Sequence, residues 1–232
     1  MLDRRLAIAA GCVLGLAAGW FARARLYPAV PPAPSRADVF AGIYRDGTWG
    51  RNDRDGTSGF GSTVRTTALY RAYLEQLVKD AHVHSVVDAG CGDWEFSKVI
   101  DWTGIDYKGY DIVGSLVAQD TQRYGKPNVQ FFTADIIDAD LPPADLLIVK
   151  NVLQHLQNAD VQRFLAKQLP KYKLAILTDG VDAHTLSSTN PDIRTGAYRP
   201  LDPGQPPFSI AGQKVLTYFD GQAMQQVYLV TR

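Results

Sequence analysis

Cysteine is nearly absent from the 232-residue sequence: Cys12 and Cys91 stand far apart in unlike surroundings. No disulfide framework and no metal-ligand spacing can be built from such a pair, and so few thiols suit a reducing compartment. Net charge is lacking too, since 24 Lys+Arg balance 24 Asp+Glu. A general nucleic-acid binder needs a basic surface to neutralise phosphates, so no nucleic-acid partner is expected. There is no internal repeat. A hydrophobic share of 46% with 10% aromatics excludes wholesale disorder. The balance fits one α/β domain with a short appendage, acting on a small molecule rather than a polyanion.

Charge is missing altogether from Leu6 to Ala22 (LAIAAGCVLGLAAGWFA), a run at the lower limit for crossing a bilayer. Arg4 and Arg5 precede it, Arg23 and Arg25 follow, and Trp20, Phe21 and Tyr27 stand where interfacial aromatics would. The proline-rich stretch from Pro28 to Pro34 cannot continue a helix. A signal anchor is the favoured reading. A cleaved secretory peptide would put Arg23 beside its cut, and a lipoprotein signal at Cys12 would leave much of the apolar core behind the cysteine. The expected organisation is a membrane anchor over 1–25, a Pro-rich linker over 26–36 and one domain over 37–232.

In that domain short β-branched runs alternate with helical stretches. Ser85–Ala89, Tyr107–Val113, Val129–Ala134, Asp145–Val149 and Leu174–Thr178 read as strands. Trp94–Trp102, Ser115–Tyr124 and Ala159–Leu169 read as helices between them, preceded by a short helix within Ala37–Gly50 and a longer one over Thr63–Ala81. Such alternation implies a mainly parallel, doubly wound sheet. Gln213–Phe219 and Met224–Thr231, separated by Asp220-Gly221, read as a closing antiparallel hairpin. The segment from Asp182 to Phe208 reads as one long loop.

The most informative stretch is Val86-Val-Asp-Ala-Gly-Cys-Gly-Asp-Trp-Glu-Phe-Ser97. A buried strand ends in Asp88 and a tight turn carries Gly90, Cys91 and Gly92, where backbone can approach a ligand closely. A second strand ends in Asp111, placed to accept hydrogen bonds from two ribose hydroxyls. A third ends in Asp135, placed to meet the exocyclic amine of an adenine. A dinucleotide site wants Gly-x-Gly-x-x-Gly with a pyrophosphate on the helix N-terminus. Here the third glycine position is Glu95, and Asp88 and Asp93 flank the turn. These charges disfavour NAD and favour the ammonium and sulfonium of S-adenosylmethionine (SAM).

The chain resembles the class I SAM-dependent methyltransferases. Asp88-Ala-Gly-Cys-Gly92 is similar to the family's first motif, Asp111 (with Ile112) to its ribose acid, and Asp135-Ile136 to its adenine-contacting pair. Asp145 to Leu156 resembles the fourth strand and the turn after it, and the terminal hairpin resembles strands six and seven, the last inserted antiparallel. The likeness runs from about Val39 to Arg232 and departs where Trp94 stands in place of a frequent third glycine. Tyr44-x-x-Gly-x-Trp-Gly50, Ser58-Gly-Phe-Gly-Ser62 and Gly196-Ala-Tyr-Arg-Pro-Leu-Asp202 with Pro206-Pro-Phe208 are similar to a bacterial branch of the family. The resemblance implies a Rossmann-like fold with a seven-stranded sheet, SAM as cofactor and methyl transfer; the expected acceptor is a small molecule or, from the anchor at Leu6–Ala22, a lipid-linked one.

Further site expectations follow. Gly61 and Ser62, in a possible pre-helix nest, would bind the cofactor carboxylate; Lys150 and Asn151 would line the cofactor. His155 is the candidate general base. Asp179, Asp182, Tyr198 and Arg199 are acceptor-side candidates, Arg199 for a carboxylate or phosphate. No metal is expected. Because SAM is cytosolic, the expected location is the inner membrane, single-pass, with the catalytic domain facing the cytoplasm. A fold that binds without catalysing, or an NAD(P)-dependent oxidoreductase, are the alternatives.

Overall fold

The computed structural model describes residues 33–50 and 57–232. Seven strands form one sheet in the order β3-β2-β1-β4-β5-β7-β6. They are β1 (Ser85–Ala89), β2 (Asp106–Asp111), β3 (Val129–Thr133), β4 (Ala144–Lys150), β5 (Tyr172–Val181), β6 (Gln213–Phe219) and β7 (Met224–Thr231). Pairings from β3 through β5 are parallel, and β7 lies antiparallel between β5 and β6. Every strand read from the sequence forms, some with ends shifted by a few residues.

The central strands are unbroken apolar runs because both faces of the sheet are covered. Alternation sends Val86, Leu146 and Ile148 to one face, beneath Tyr70 and Leu74 of helix α2 (Ala68–Asp80). Val87, Leu147 and Val149 go to the other face. There they meet Leu116 of α3 (Gly114–Tyr124) and Val161, Phe164 and Leu165 of α4 (Asn158–Gln168). The same layer takes Phe40 from α1 (Arg36–Asp46). A capping box opens α1: the Ser35 side chain accepts from the Asp38 N–H while the Asp38 carboxylate accepts from the Ser35 N–H. Gly47 closes it in the left-handed region, φ +65°.

Two helix expectations differ from the structure. Trp94–Trp102 forms no α-helix, because Trp94 takes φ +54°, a conformation that right-handed helix cannot contain. Its ring is buried against Tyr107, Tyr124 and Phe131, which holds the backbone there. Only a 3-10 turn, Ser97–Val99, follows. Helix α2 begins at Ala68 rather than Thr63, after a turn in which the Thr67 hydroxyl donates to the Thr63 carbonyl at 2.7 Å.

The expected inner-membrane, single-pass location is corrected: among the described residues no helix is long and apolar enough to cross a bilayer. The run Leu6–Ala22 lies outside the described residues.

Strand order reverses at β1, with β2 and β3 on one side and β4 and β5 on the other. The carboxyl ends of β1 and β4 therefore flank a crevice, the place where doubly wound sheets bind ligands.

Candidate active site

The crevice opens into a cavity of about 450 Å³. On its floor is the turn after β1, where Gly90 and Gly92 adopt φ +90° and +59°. A Cβ on Gly90 would lie 2.4 Å from Val152 Cγ2, and one on Gly92 would lie 2.6 Å from Ser58 Oγ. Only glycine lets the turn run this tightly. Cys91 lines the cavity between them while its side chain belongs to the buried core. Asp88 is buried and accepts a hydrogen bond from Tyr107 Oη at 2.5 Å. Burial pushes the Asp88 carboxyl up to about 7, against the pull of that hydrogen bond.

Two more acids reach the cavity from neighbouring strands. Asp111 ends β2, with Oδ2 accepting from the Gly92 N–H at 3.0 Å and Oδ1 from the Val113 N–H at 2.9 Å. Burial raises its pKa, and the two N–H groups oppose the rise. Asp135, two residues past β3, accepts from the Ile137 N–H through Oδ1 at 3.0 Å. Its Oδ2 pairs with Arg36 Nε at 2.8 Å. Ile112 and Ile136 add apolar wall, and Arg36, Phe40 and Tyr44 bring α1 to the same cavity.

At the opposite end, Lys150 closes β4. Its buried ammonium donates to the Gly61 carbonyl at 2.8 Å and lies 5.6 and 5.4 Å from the ring centres of Tyr70 and Phe96. Burial lowers its pKa to about 8, with Asp220, Asp179 and Asp88 resisting. Gly61 and Ser62 belong to a 3-10 turn, Phe60–Ser62, on the cavity wall. A Cβ on Gly61 would stand 2.8 Å from Asn151 Nδ2, so this turn and Asn151 are in close register.

His155 lies on the same wall. The Ala197 carbonyl, 2.9 Å from Nδ1, can only accept, so Nδ1 carries the proton. Nε2 faces Gln154 Nε2 at 3.3 Å. Burial lowers the His155 pKa to about 4. The Trp49 ring lies 4.8 Å from the imidazole, centre to centre, and the Tyr198 ring 6.1 Å away.

All twelve residues expected around the cofactor, and His155, line this one cavity. Among the acceptor-side candidates only Tyr198 joins them. Arg199 is corrected: it is buried elsewhere, donating to the Leu156 carbonyl at 2.6 Å and to Asn158 Oδ1 at 2.9 Å. It braces the loop before α4. Asp182 is exposed and organises its own turn through the His184 and Thr185 N–H groups. Asp179 is buried behind the wall, accepting from the Gln154 N–H at 3.0 Å.

Arg36, Phe40, Trp49 and Asp220 are among the wall residues that carried no site role in the sequence. The Ser35-x-x-Asp38 capping box marks where α1 starts and could have placed Arg36 on its first turn. Asp220 reads as a hairpin residue, and it is one. Oδ1 accepts from the Gln222 and Ala223 N–H groups, both at 2.8 Å, but Oδ2 accepts from Gln225 Nε2 on the cavity side.

These features fit a cationic adenosyl ligand. Burial raises the pKa of both Asp88 and Asp111, and a nearby cation would favour their ionised forms. The apolar Ile112–Ile136 surface offers a base a flat wall, and the glycine turn leaves room for close approach.

A family model described as a methyltransferase domain matches residues 87–168, from β1 to the end of α4. No curated protein matches the chain. Among solved structures, the magnesium protoporphyrin IX methyltransferase of Synechocystis PCC 6803 with bound SAM aligns at TM-score 0.58 and 15% identity. That alignment covers 88% of this chain and 100% of that one. The mitomycin 7-O-methyltransferase aligns at TM-score 0.52 and 14% identity, over 71% of this chain and 55% of that one. An O-methyltransferase family protein from Burkholderia thailandensis gives TM-score 0.51 and 12% identity, over 71% and 56%. The chain thus spans little more than half the length of the last two. At such identities the structural likeness speaks for the fold, while the matched segment itself carries the glycine turn, Asp111 and Asp135. The matched segment is thus similar to a methyltransferase domain, and the rest of the chain shares the fold of solved SAM-dependent methyltransferases.

Proposed function

We propose that the cavity holds SAM with its ribose on Asp111, its adenine between Ile112 and Ile136 with the amino group toward Asp135, and its methionyl end on the turn of Asp88, Gly90, Cys91 and Gly92. Gly61, Ser62, Lys150 and Asn151 close that methionyl end. The observation that carries this reading is the meeting of Asp88, Asp111 and Asp135, from three adjacent strands, in one cavity with the glycine turn. The acceptor is a small molecule lying against Trp49, His155 and Tyr198, with Asp220 and Gln225 beside it.

When bound, SAM supplies an electrophilic methyl group on a positively charged sulfur. This chain's own part would be to align the acceptor with that methyl group and to exclude water. Tyr44, Phe40 and Trp49 exclude water from above; Lys150 and Asn151 fix the wall. His155 is a positioning residue, its Nδ1 proton held by Ala197 and its basicity low. His155→Phe keeps a flat ring against Trp49 and should lower kcat by less than tenfold. A loss of about 10²-fold or more, the size of a missing general base, would return His155 to the chemistry.

Calorimetry with SAM across pH tests the cofactor site. The ligand selects ionised Asp88, whose carboxyl titrates at about 7 in the free protein. Below that pH a proton must leave on binding. Affinity should therefore fall with acidification, by up to about tenfold per pH unit, and level off above pH 7. S-adenosylhomocysteine, lacking the sulfonium charge, should show a shallower slope. No binding heat from SAM, or equal slopes for both ligands, would sink the proposed arrangement.

A further inference from the structure

We propose that Arg36 aims the Asp135 carboxylate, so that α1 takes part in reading the adenine amino group; this rests on the assignment of Asp135 to the adenine made above. Arg36 is the first residue of α1, and its guanidinium gathers three acids from two other elements. Nε binds Asp135 Oδ2 at 2.8 Å, Nη1 lies 3.3 and 3.2 Å from the two oxygens of Asp160, and Nη2 pairs with Asp138. The Arg36 side chain is 19% exposed and that of Asp160 3%, so these charges meet partly out of water. Arg163 also reaches Asp138 and, at 3.8 Å, Asp160. Among the described residues Arg36 alone forms an ion pair with Asp135.

The geometry explains why this matters at the cavity. Asp135 Oδ1 is fixed by the Ile137 N–H of its own turn, whereas Oδ2 is oriented by Arg36 across 99 residues of sequence. Without the guanidinium, Asp138 and Asp160 keep Arg163, whereas Asp135 faces them with no ion pair of its own. The Asp135 carboxylate would then swing outward to hydrate, and an adenine amino group would lose a fixed acceptor. A lysine restores one positive charge but not the planar fork that holds three carboxylates at once. Arg36 is thus a positioning residue whose effect should appear as selectivity for the 6-amino group.

The test compares binding of S-adenosylhomocysteine and S-inosylhomocysteine, in which oxygen replaces that amino group, to the full chain and to Asp135→Ala, Arg36→Lys and Arg36→Gln. The unaltered chain should prefer the adenosyl ligand by about tenfold to a hundredfold, the worth of a hydrogen bond to a charged acceptor. Asp135→Ala should bring the ratio close to one, and both Arg36 variants should move it most of the way there. Weaker binding of both ligands at an unchanged ratio would make Arg36 only a latch for α1 and overturn the inference while the adenine assignment stands. A ratio that is unity in the unaltered chain, or that survives Asp135→Ala, would overturn the assignment and the inference with it. Should Arg36→Gln fail to fold, Arg36→Lys, which keeps the charge, decides.

Discussion

Gly90→Ala is expected to eliminate measurable SAM binding and to lower the melting temperature together. Gly90 sits at φ +90°, where an L side chain is strained, and its Cβ would stand 2.4 Å from Val152 Cγ2. Val152 has little freedom to retreat. Asn151 before it is itself left-handed, φ +55°, and its N–H is tied to the Thr178 carbonyl of β5 at 2.7 Å. The turn must move instead. That would disturb the Gly90 and Cys91 N–H bonds to the Tyr110 carbonyl at 2.7 and 3.0 Å. Left-handed strain of ~1–2 kcal/mol and overpacking of ~1–3 kcal/mol would be divided between folding and binding. Calorimetry and thermal unfolding on the same sample read both parts. Retained affinity would mean that the turn is not the seat of the cofactor.

Asp111→Ala should raise the dissociation constant for SAM by about tenfold to a few hundredfold. One part is the lost acceptor for the ribose hydroxyls, about 1.5–3 kcal/mol for bonds to a charged group. The other is preorganisation: without the carboxylate the Gly92 and Val113 N–H groups lose their partner, and the glycine turn loses one of its ties to β2. Asp111→Asn separates the two parts. A single amide oxygen can serve one of these N–H groups but not both, so an intermediate affinity is expected. Unchanged affinity in the alanine variant would remove Asp111 from the site.

What could be read from the sequence was whatever a strand or a turn encodes locally. The runs Ser85–Ala89 and Leu146–Val149 announce a buried sheet, and Asp88, Asp111 and Asp135 are visible because each follows such a run. The glycine turn is equally local. Trp94 misled because its helical neighbours suggest a periodic segment, while the conformation is set by a ring packed on β2 and β3. Arg199 misled for a similar reason: a guanidinium in a long loop reads as a ligand group until it is seen donating to Leu156 and Asn158. Arg36, Trp49 and Asp220 join the site only through contacts between distant parts of the chain. Neither spacing nor composition reports such contacts. The membrane expectation rested on Leu6–Ala22 alone, and the described helices contribute nothing to it.

The reversal of strand order at β1 also bears on how the site comes into being. Val86 of β1 pairs with Leu146 of β4, sixty positions on, and β2, α3 and β3 must all be threaded between the two. Pairing over such a distance is entropically slow to nucleate. Until that pairing forms, the edge of β1 that flanks the crevice is an open hydrogen-bonding edge. No contiguous fragment ending before β4 can contain the crevice, however complete its glycine turn. Competence to hold a cofactor arrives with the long-range topology, so a cofactor that binds this crevice would stabilise the finished sheet over its partly paired precursors.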